Sequence, residues 1–109
     1  MSLASALQPL QALAHETRWR IVELLLQEPM CVAQLTEVLQ LRQSNVSNHL
    51  QVIRRAGLVV CTRRRGFVQY RIADRYVRVI PLWRDHLGIS LAADVTLSAD
   101  AWNSQGKGR

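Results

Sequence analysis

The stretch Gln43-Ser44-Asn45-Val46-Ser47-Asn48-His49-Leu50-Gln51-Val52-Ile53-Arg54-Arg55-Ala56-Gly57-Leu58-Val59 decides the fold. Val46, Leu50 and Ile53 recur at helical spacing and form one apolar face. Around Val46 the run is polar: Arg42, Gln43, Ser44, Asn45, Ser47, Asn48 and His49. A purely structural helix rarely opens with so many short polar side chains. A helix fits the DNA major groove, where each base pair shows its own donor and acceptor pattern. Helices that read this pattern carry the contacting residues near their N-terminus. Asn and Gln can bond adenine in bidentate fashion, and Arg can bond guanine. Ser hydroxyls and the helix N-terminus can hold phosphate. Gly57 is the natural residue to end the helix, after Ala56.

Downstream the pattern switches from helical spacing to alternation. Leu58, Val60 and Thr62 alternate with Val59, Cys61 and Arg63, and Val68, Tyr70 and Ile72 alternate with Phe67, Gln69 and Arg71. Arg64-Arg65-Gly66 lies between, so the segment is expected to be a β-hairpin. A three-residue loop pairs Leu58 with Ile72, Val60 with Tyr70 and Thr62 with Val68, on one apolar face. A two-residue loop puts Val60 opposite Arg71, so the odd-length loop is preferred here. The tip carries Arg63, Arg64 and Arg65, which suit phosphates or a narrow minor groove. Charge that guards an edge hairpin against aggregation is the competing explanation.

Upstream, Val32, Leu35, Val38 and Leu39 give a short helix, and a brief polar turn, Gln40 to Arg42, leads into the polar-faced helix. A short helix, a turn, a polar-faced helix and a basic hairpin make a winged helix-turn-helix. Residues 16–27 are helical through Trp19, Ile21, Val22, Leu24, Leu25 and Leu26, with Glu16 suited to the N-terminal dipole and Pro29 ending the helix. Residues 3–14 show the same spacing at Leu3, Leu7, Leu10, Leu13 and Ala14, with Pro9 a break or first-turn residue. Residues 74–87 are helical through Tyr76, Val77, Ile80, Trp83 and Leu87, with a kink or restart at Pro81. The expected architecture is mainly α with a small hairpin, α-α-α-α-β-β-α. One domain spans residues 1–93, and the polar residues 94–109 form a disordered tail.

With 109 residues, 49% of them hydrophobic, the chain supports a single modest core. Pairing two copies would help so small a domain. Leu3, Leu7, Leu10, Ile80, Trp83 and Leu87 give apolar stripes on the first and last helices, where a homodimer is expected to form. Net charge is +6, and its distribution is more telling. Residues 38–73 hold Arg42, Arg54, Arg55, Arg63, Arg64, Arg65 and Arg71 and no acid. Elsewhere, acids outnumber cations by one. Such segregation is the footprint of a polyanion binder, although a solvated basic face is the plainer alternative. No run approaches a membrane span, and Met1-Ser2-Leu3-Ala4 has no charged leader, so no membrane partner and a cytoplasmic location are expected.

The sequence resembles the ArsR/SmtB family of transcriptional repressors over about residues 3–87. Leu13-Ala14-His15-Glu16-Thr17-Arg18-Trp19-Arg20-Ile21 is similar to that family's entry into its second helix. The quoted stretch 43–59 resembles its recognition helix and first wing strand, and Gln69-Tyr70-Arg71-Ile72 its returning strand. The resemblance implies a homodimer on double-stranded DNA, with repression relieved by a ligand, often a metal ion. Expected DNA contacts are Arg42, Gln43, Ser44, Asn45, Ser47, Asn48, His49, Arg54, Arg63, Arg64, Arg65 and Tyr70.

This chain departs from the family's metal sites. The Cys-x-Cys pair is reduced to Cys31-Val32-Ala33, and the last helix offers only the adjacent Asp85 and His86. Trivalent arsenic wants three thiolates, so an arsenic site would have to recruit cysteines across subunits. Arg42 also stands where an N-cap Ser is common, and Arg65 where the wing glycine usually falls. Cys31 and Cys61 remain as candidates for a thiol-bound metal ion or a redox site, or as inert thiols. The strand alternation places Cys61 away from Val60 and Tyr70, partly exposed beside Arg63, where a thiol is open to soft metals and oxidants. Cys31 opens a segment that can pair with the hairpin and bring the two thiols close. A non-specific architectural DNA binder is the rival function. An enzyme is set aside for lack of a Gly-rich phosphate loop, a nucleophile motif or clustered carboxylates.

Overall fold

The computed structural model describes residues 2–88. Helices α1 (Leu3–Leu13), α2 (Glu16–Gln27), α3 (Val32–Leu39) and α4 (Gln43–Arg55) precede an antiparallel hairpin, β1 (Val59–Arg64) and β2 (Phe67–Ile72). A 3-10 turn (Asp74–Tyr76) then leads to α5 (Val79–Leu87). This is the expected winged helix-turn-helix order. Residues 89–93 of the expected domain and the tail 94–109 lie outside the described residues.

The core is built around α2. Its Trp19, Ile21, Val22, Leu24 and Leu25 are all buried, against Leu35 of α3, Val46, Leu50 and Ile53 of α4, Val59 of β1 and Ile72 of β2. A helix this apolar is stable only when covered on most sides. Its one buried acid, Glu23, meets Arg84 of α5, whose Nη1 donates to both carboxylate oxygens at 3.0 and 3.3 Å. This ion pair fastens α5 to the core. Removing Arg84 would leave the buried Glu23 carboxylate uncompensated, whereas Arg84 also reaches Asp85 at 3.4 Å.

Helix ends follow local chemistry. His15 caps α2, its Nδ1 accepting the Thr17 N–H at 3.1 Å. Gln34 Oε1 accepts the N–H of Cys31, the N-cap of α3, at 2.9 Å, and the thiol faces the Gln34 N–H in return. Arg42 occupies the N-cap of α4 without a side-chain cap bond, as its residue type implied. At the other end of α4, Gly57 takes φ +81 and donates to Arg54 O, while Leu58 donates to Ile53 O. These two bonds form a Schellman cap, and Leu58 and Ile53 are both fully buried. Pro9 does not break α1, which runs through it at the cost of one backbone hydrogen bond. Pro81 lies in the first turn of α5, where its missing N–H is not needed, so the chain restarts there.

The hairpin register differs from expectation. Val59 pairs with Ile72, Val60 with Arg71, Cys61 with Tyr70, Thr62 with Gln69, Arg63 with Val68 and Arg64 with Phe67. The loop is therefore the two residues Arg65 and Gly66, at φ 53 and 81, the paired positive values of a tight type I′ turn. Two features displaced the three-residue loop. Leu58 commits its N–H to the helix cap and joins the hairpin only through its carbonyl, which accepts from Ala73 N at 2.9 Å, so β1 begins at Val59. Arg71, opposite Val60, is satisfied by Asp74 at 3.0 Å. Cys61 consequently shares the core-side face with Val59, Tyr70 and Ile72 and is half-buried, opposite to the placement expected from alternation. Met30 adds a one-residue third strand, exchanging hydrogen bonds with Tyr70 at 3.0 and 2.8 Å.

Candidate nucleic-acid interface

The inward residues Val46, Leu50 and Ile53 fix the rotation of α4, and so decide what faces outward. Ser44, Asn48, Gln51 and Arg55, at i, i+4, i+7 and i+11, form the opposite stripe, and all four are exposed. Arg42, Gln43, Asn45 and Arg54 are exposed on the flanks, and Ser47 is half-buried. Gln51 and Arg55 were not singled out from the sequence. Their signal was present in the helical period counted outward from Val46. A surface of amide, hydroxyl and guanidinium groups can donate to and accept from base edges, and can bond phosphate at its margins.

Two expected contacts are engaged within the fold. His49 faces the α1–α2 junction, where Arg18 Nε donates to its Nδ1 at 3.2 Å and its ring lies 4.6 Å from that of His15. Arg18 also donates to Ala12 O, at the end of α1, so one guanidinium ties α1 and α2 to α4. Tyr70 is half-buried against the core, beside the Met30 bridge. Arg63, Arg64 and Arg65 stand exposed on the hairpin. Because β1 follows α4 directly through the Schellman cap, the hairpin and α4 are held as one basic surface.

The candidate partner-facing residues divide. Leu3, Leu7, Leu10 and Leu87 are exposed large hydrophobics. Ile80, expected beside them, is 0% exposed and belongs to the chain's own core. Trp83 packs against the core with its ring 6.2 Å from that of Tyr76. Leu82 of α5 is also exposed, at 66%. The two thiols do not converge. Cys61 and Met30 lie on opposite sides of Tyr70, two strand spacings or roughly 10 Å apart, and Cys31 is one residue further on. A disulfide needs Cα atoms within about 7 Å. Among the described residues no group of three or more His, Cys, Asp or Glu can hold a metal ion, and no helix is long and apolar enough to cross a membrane.

A helix-turn-helix whose second helix is polar outward, joined to a basic hairpin, defines the winged helix-turn-helix class of DNA-binding proteins. Residues 15–60 match the model of the bacterial regulatory protein, arsR family. The arsenic resistance transcriptional regulator ArsR1 of Pseudomonas putida is 35% identical over 94 residues, covering 84% of this chain and 70% of that protein. Among solved structures, HlyU from Vibrio cholerae superposes with a TM-score of 0.67 at 34% identity, covering 75% of this chain and 90% of that one. The winged helix-turn-helix domain of Mb0332 from Mycobacterium bovis gives 0.74 at 25% identity, covering 79% and 81%. The chain belongs to the arsR family and is a DNA-binding transcriptional regulator. It spans between 57% and 70% of the length of the curated relatives it matches.

The partly buried placement of His49 makes the stability of the fold depend on pH. Burial, then the nearby His15 and Arg18 charges, push the His49 pKa below its ordinary 6.5. The unfolded chain therefore takes up this proton more readily than the folded one. The contribution to stability is present in full above pH 6.5 and declines as pH falls below it. We expect the urea midpoint to drop between neutral and mildly acidic pH by a larger margin in the parent than in His49→Gln, which accepts from Arg18 without titrating. Parallel pH profiles for the two proteins would contradict this.

Proposed function

We propose that the protein is a homodimeric repressor that reads its operator with α4, grips it with the hairpin wing, and is released by a signal acting at a thiol. The observation that carries the reading is the two-faced character of α4, with a buried Val46–Leu50–Ile53 stripe opposite an exposed Ser44–Asn48–Gln51–Arg55 stripe. A non-specific binder needs only the charge. Ordered amides and hydroxyls on the exposed face support base reading. Exposed Leu3, Leu7 and Leu10 on α1 and Leu82 and Leu87 on α5 supply the apolar surface for a partner copy. The Mycobacterium bovis neighbour is described as homodimeric, which favours the same assembly here.

Relatives include the arsenical resistance operon repressor of Escherichia coli, 36% identical over 85 residues. Within one chain the described residues offer no cluster of three or more His, Cys, Asp or Glu for a chelated metal or arsenic ion, and the two thiols stand apart. The signal we propose acts on a single thiol. Cys31 caps α3 immediately after Met30, and Cys61 is the cross-strand partner of Tyr70. Both sulfurs thus adjoin the Met30–Tyr70 bridge that ties the wing to the helix-turn-helix. A group added to either sulfur crowds that bridge and tilts the wing against α4.

Alanine at Gln43, Ser44, Ser47 or Asn48 should cost about 1–3 kcal/mol on the preferred duplex and relax base preference. Alanine at Arg63, Arg64 or Arg65 should weaken all sequences alike and flatten the salt dependence. Binding assays against preferred and random duplexes at several salt concentrations measure both. A change of preferred sequence in the arginine variants would contradict the division of roles. For the signal, soft metal salts and peroxide should release the parent from DNA. The Cys31→Ser, Cys61→Ser double variant should stay bound, and release as ready as the parent's would exclude thiol control.

A further inference from the structure

The wing carries a large aromatic side chain that its charge does not explain. The chain has a single phenylalanine, and it is not in the core. Phe67 stands at the hairpin tip, 67% exposed. Large apolar rings normally go inside, and one at the end of a two-stranded sheet invites self-association. Phe67 follows the Arg65-Gly66 turn directly and pairs with Arg64, on the face opposite Val59 and Ile72. Both turn residues have positive φ in a two-residue loop, so the ring projects from a tight tip with no slack. Exposed Arg64 and Arg65 adjoin it and exposed Arg63 lies on the other face of the same tip, all within the acid-free window of residues 38–73.

We propose that Phe67 is a minor-groove wedge. The arginines bring the wing to the phosphates, and the ring then presses into a base step, partly unstacks it and bends the duplex toward the major groove. The charge around the ring selects this occupant. Another copy of the wing would set one arginine cluster against another, whereas a narrow minor groove concentrates negative potential around the place where the ring enters. The inference rests on the wing meeting DNA as proposed above, and adds a second kind of specificity to that contact. Pyrimidine–purine steps deform most readily, so the wing favours duplexes with such a step beneath its tip without bonding any base. The α4 stripe reads base edges while Phe67 reads deformability.

The test uses the full chain and a short duplex selected by it from a random pool, labelled at both ends for energy transfer. The parent should bend the duplex by between about 20° and 90°. Phe67→Ala should leave it nearly straight and bind roughly tenfold more weakly. Its melting temperature and its salt slope should be unchanged, because the ring is exposed and uncharged. Phe67→Leu, still an apolar wedge, should retain the bend. Arg65→Ala should lower the salt slope. Replacing the pyrimidine–purine step under the wing should weaken the parent and not Phe67→Ala. Equal bending by the parent and Phe67→Ala, or tight binding by the parent without a bend, would overturn the wedge while leaving the repressor reading intact. A change in the DNA-free sedimentation of Phe67→Ala would overturn it too, by showing that protein covers the ring. If the parent selects no duplex at all, the repressor reading fails, and the wedge with it.

Discussion

The structure depends on the contact between one face of α4 and the buried helix α2. Val46, Leu50 and Ile53 are at most 1% exposed, and they pack into a core to which α2 contributes five buried apolar side chains. Truncating Leu50 in such a site costs about 2–5 kcal/mol, a large share of the stability of a domain this size. That sets how firmly the rotation of α4 is held. Rotating α4 by one residue would turn it about 100° and carry Val46 toward solvent. The exposed stripe is therefore a consequence of core packing, not a separately built site.

Three polar ties hold the remaining parts in fixed relation to that contact. Arg18 joins the end of α1 to His49 of α4. The Met30–Tyr70 bridge joins the segment before α3 to the wing. The Glu23–Arg84 pair joins α5 to α2. Each connects an element proposed to face DNA or a partner copy to the common core, and each is short in space but long in sequence. A disturbance at any of them changes the geometry of the surface without touching its contact residues. The thiol signal proposed above acts beside one of these ties, the Met30–Tyr70 bridge.

Much of this was legible in the sequence, because helical and strand periods are imposed by the same burial that forms the core. Val46, Leu50 and Ile53 marked α4, and the acid-free window marked the basic face that α4 and the hairpin share. The hairpin register was not legible. Alternation alone counted Leu58 as a strand residue, whereas it completes the cap of α4, and an apolar-to-apolar match at Val60 was given more weight than a tight turn with two positive φ values. That error also put Cys61 on the wrong face. Ile80 was misplaced because a stripe on a short helix does not reveal which of its sides meets the chain's own core. The Arg18–His49 contact links residues 31 apart and had no local signal. Gln51 and Arg55 were readable from the helical period, but attention to the helix N-terminus hid them.

The central claim is that α4 lies in the major groove as one of a symmetric pair. Methylation protection of guanine N7, a major-groove atom, on the tightest duplex the full chain selects tests it most directly. The account predicts two protected patches one helical turn apart, roughly 34 Å between centres, on one face of the duplex. Both should fade when Asn48 is replaced by alanine. Tight binding with every N7 still reactive, or protection confined to a single patch, would contradict it.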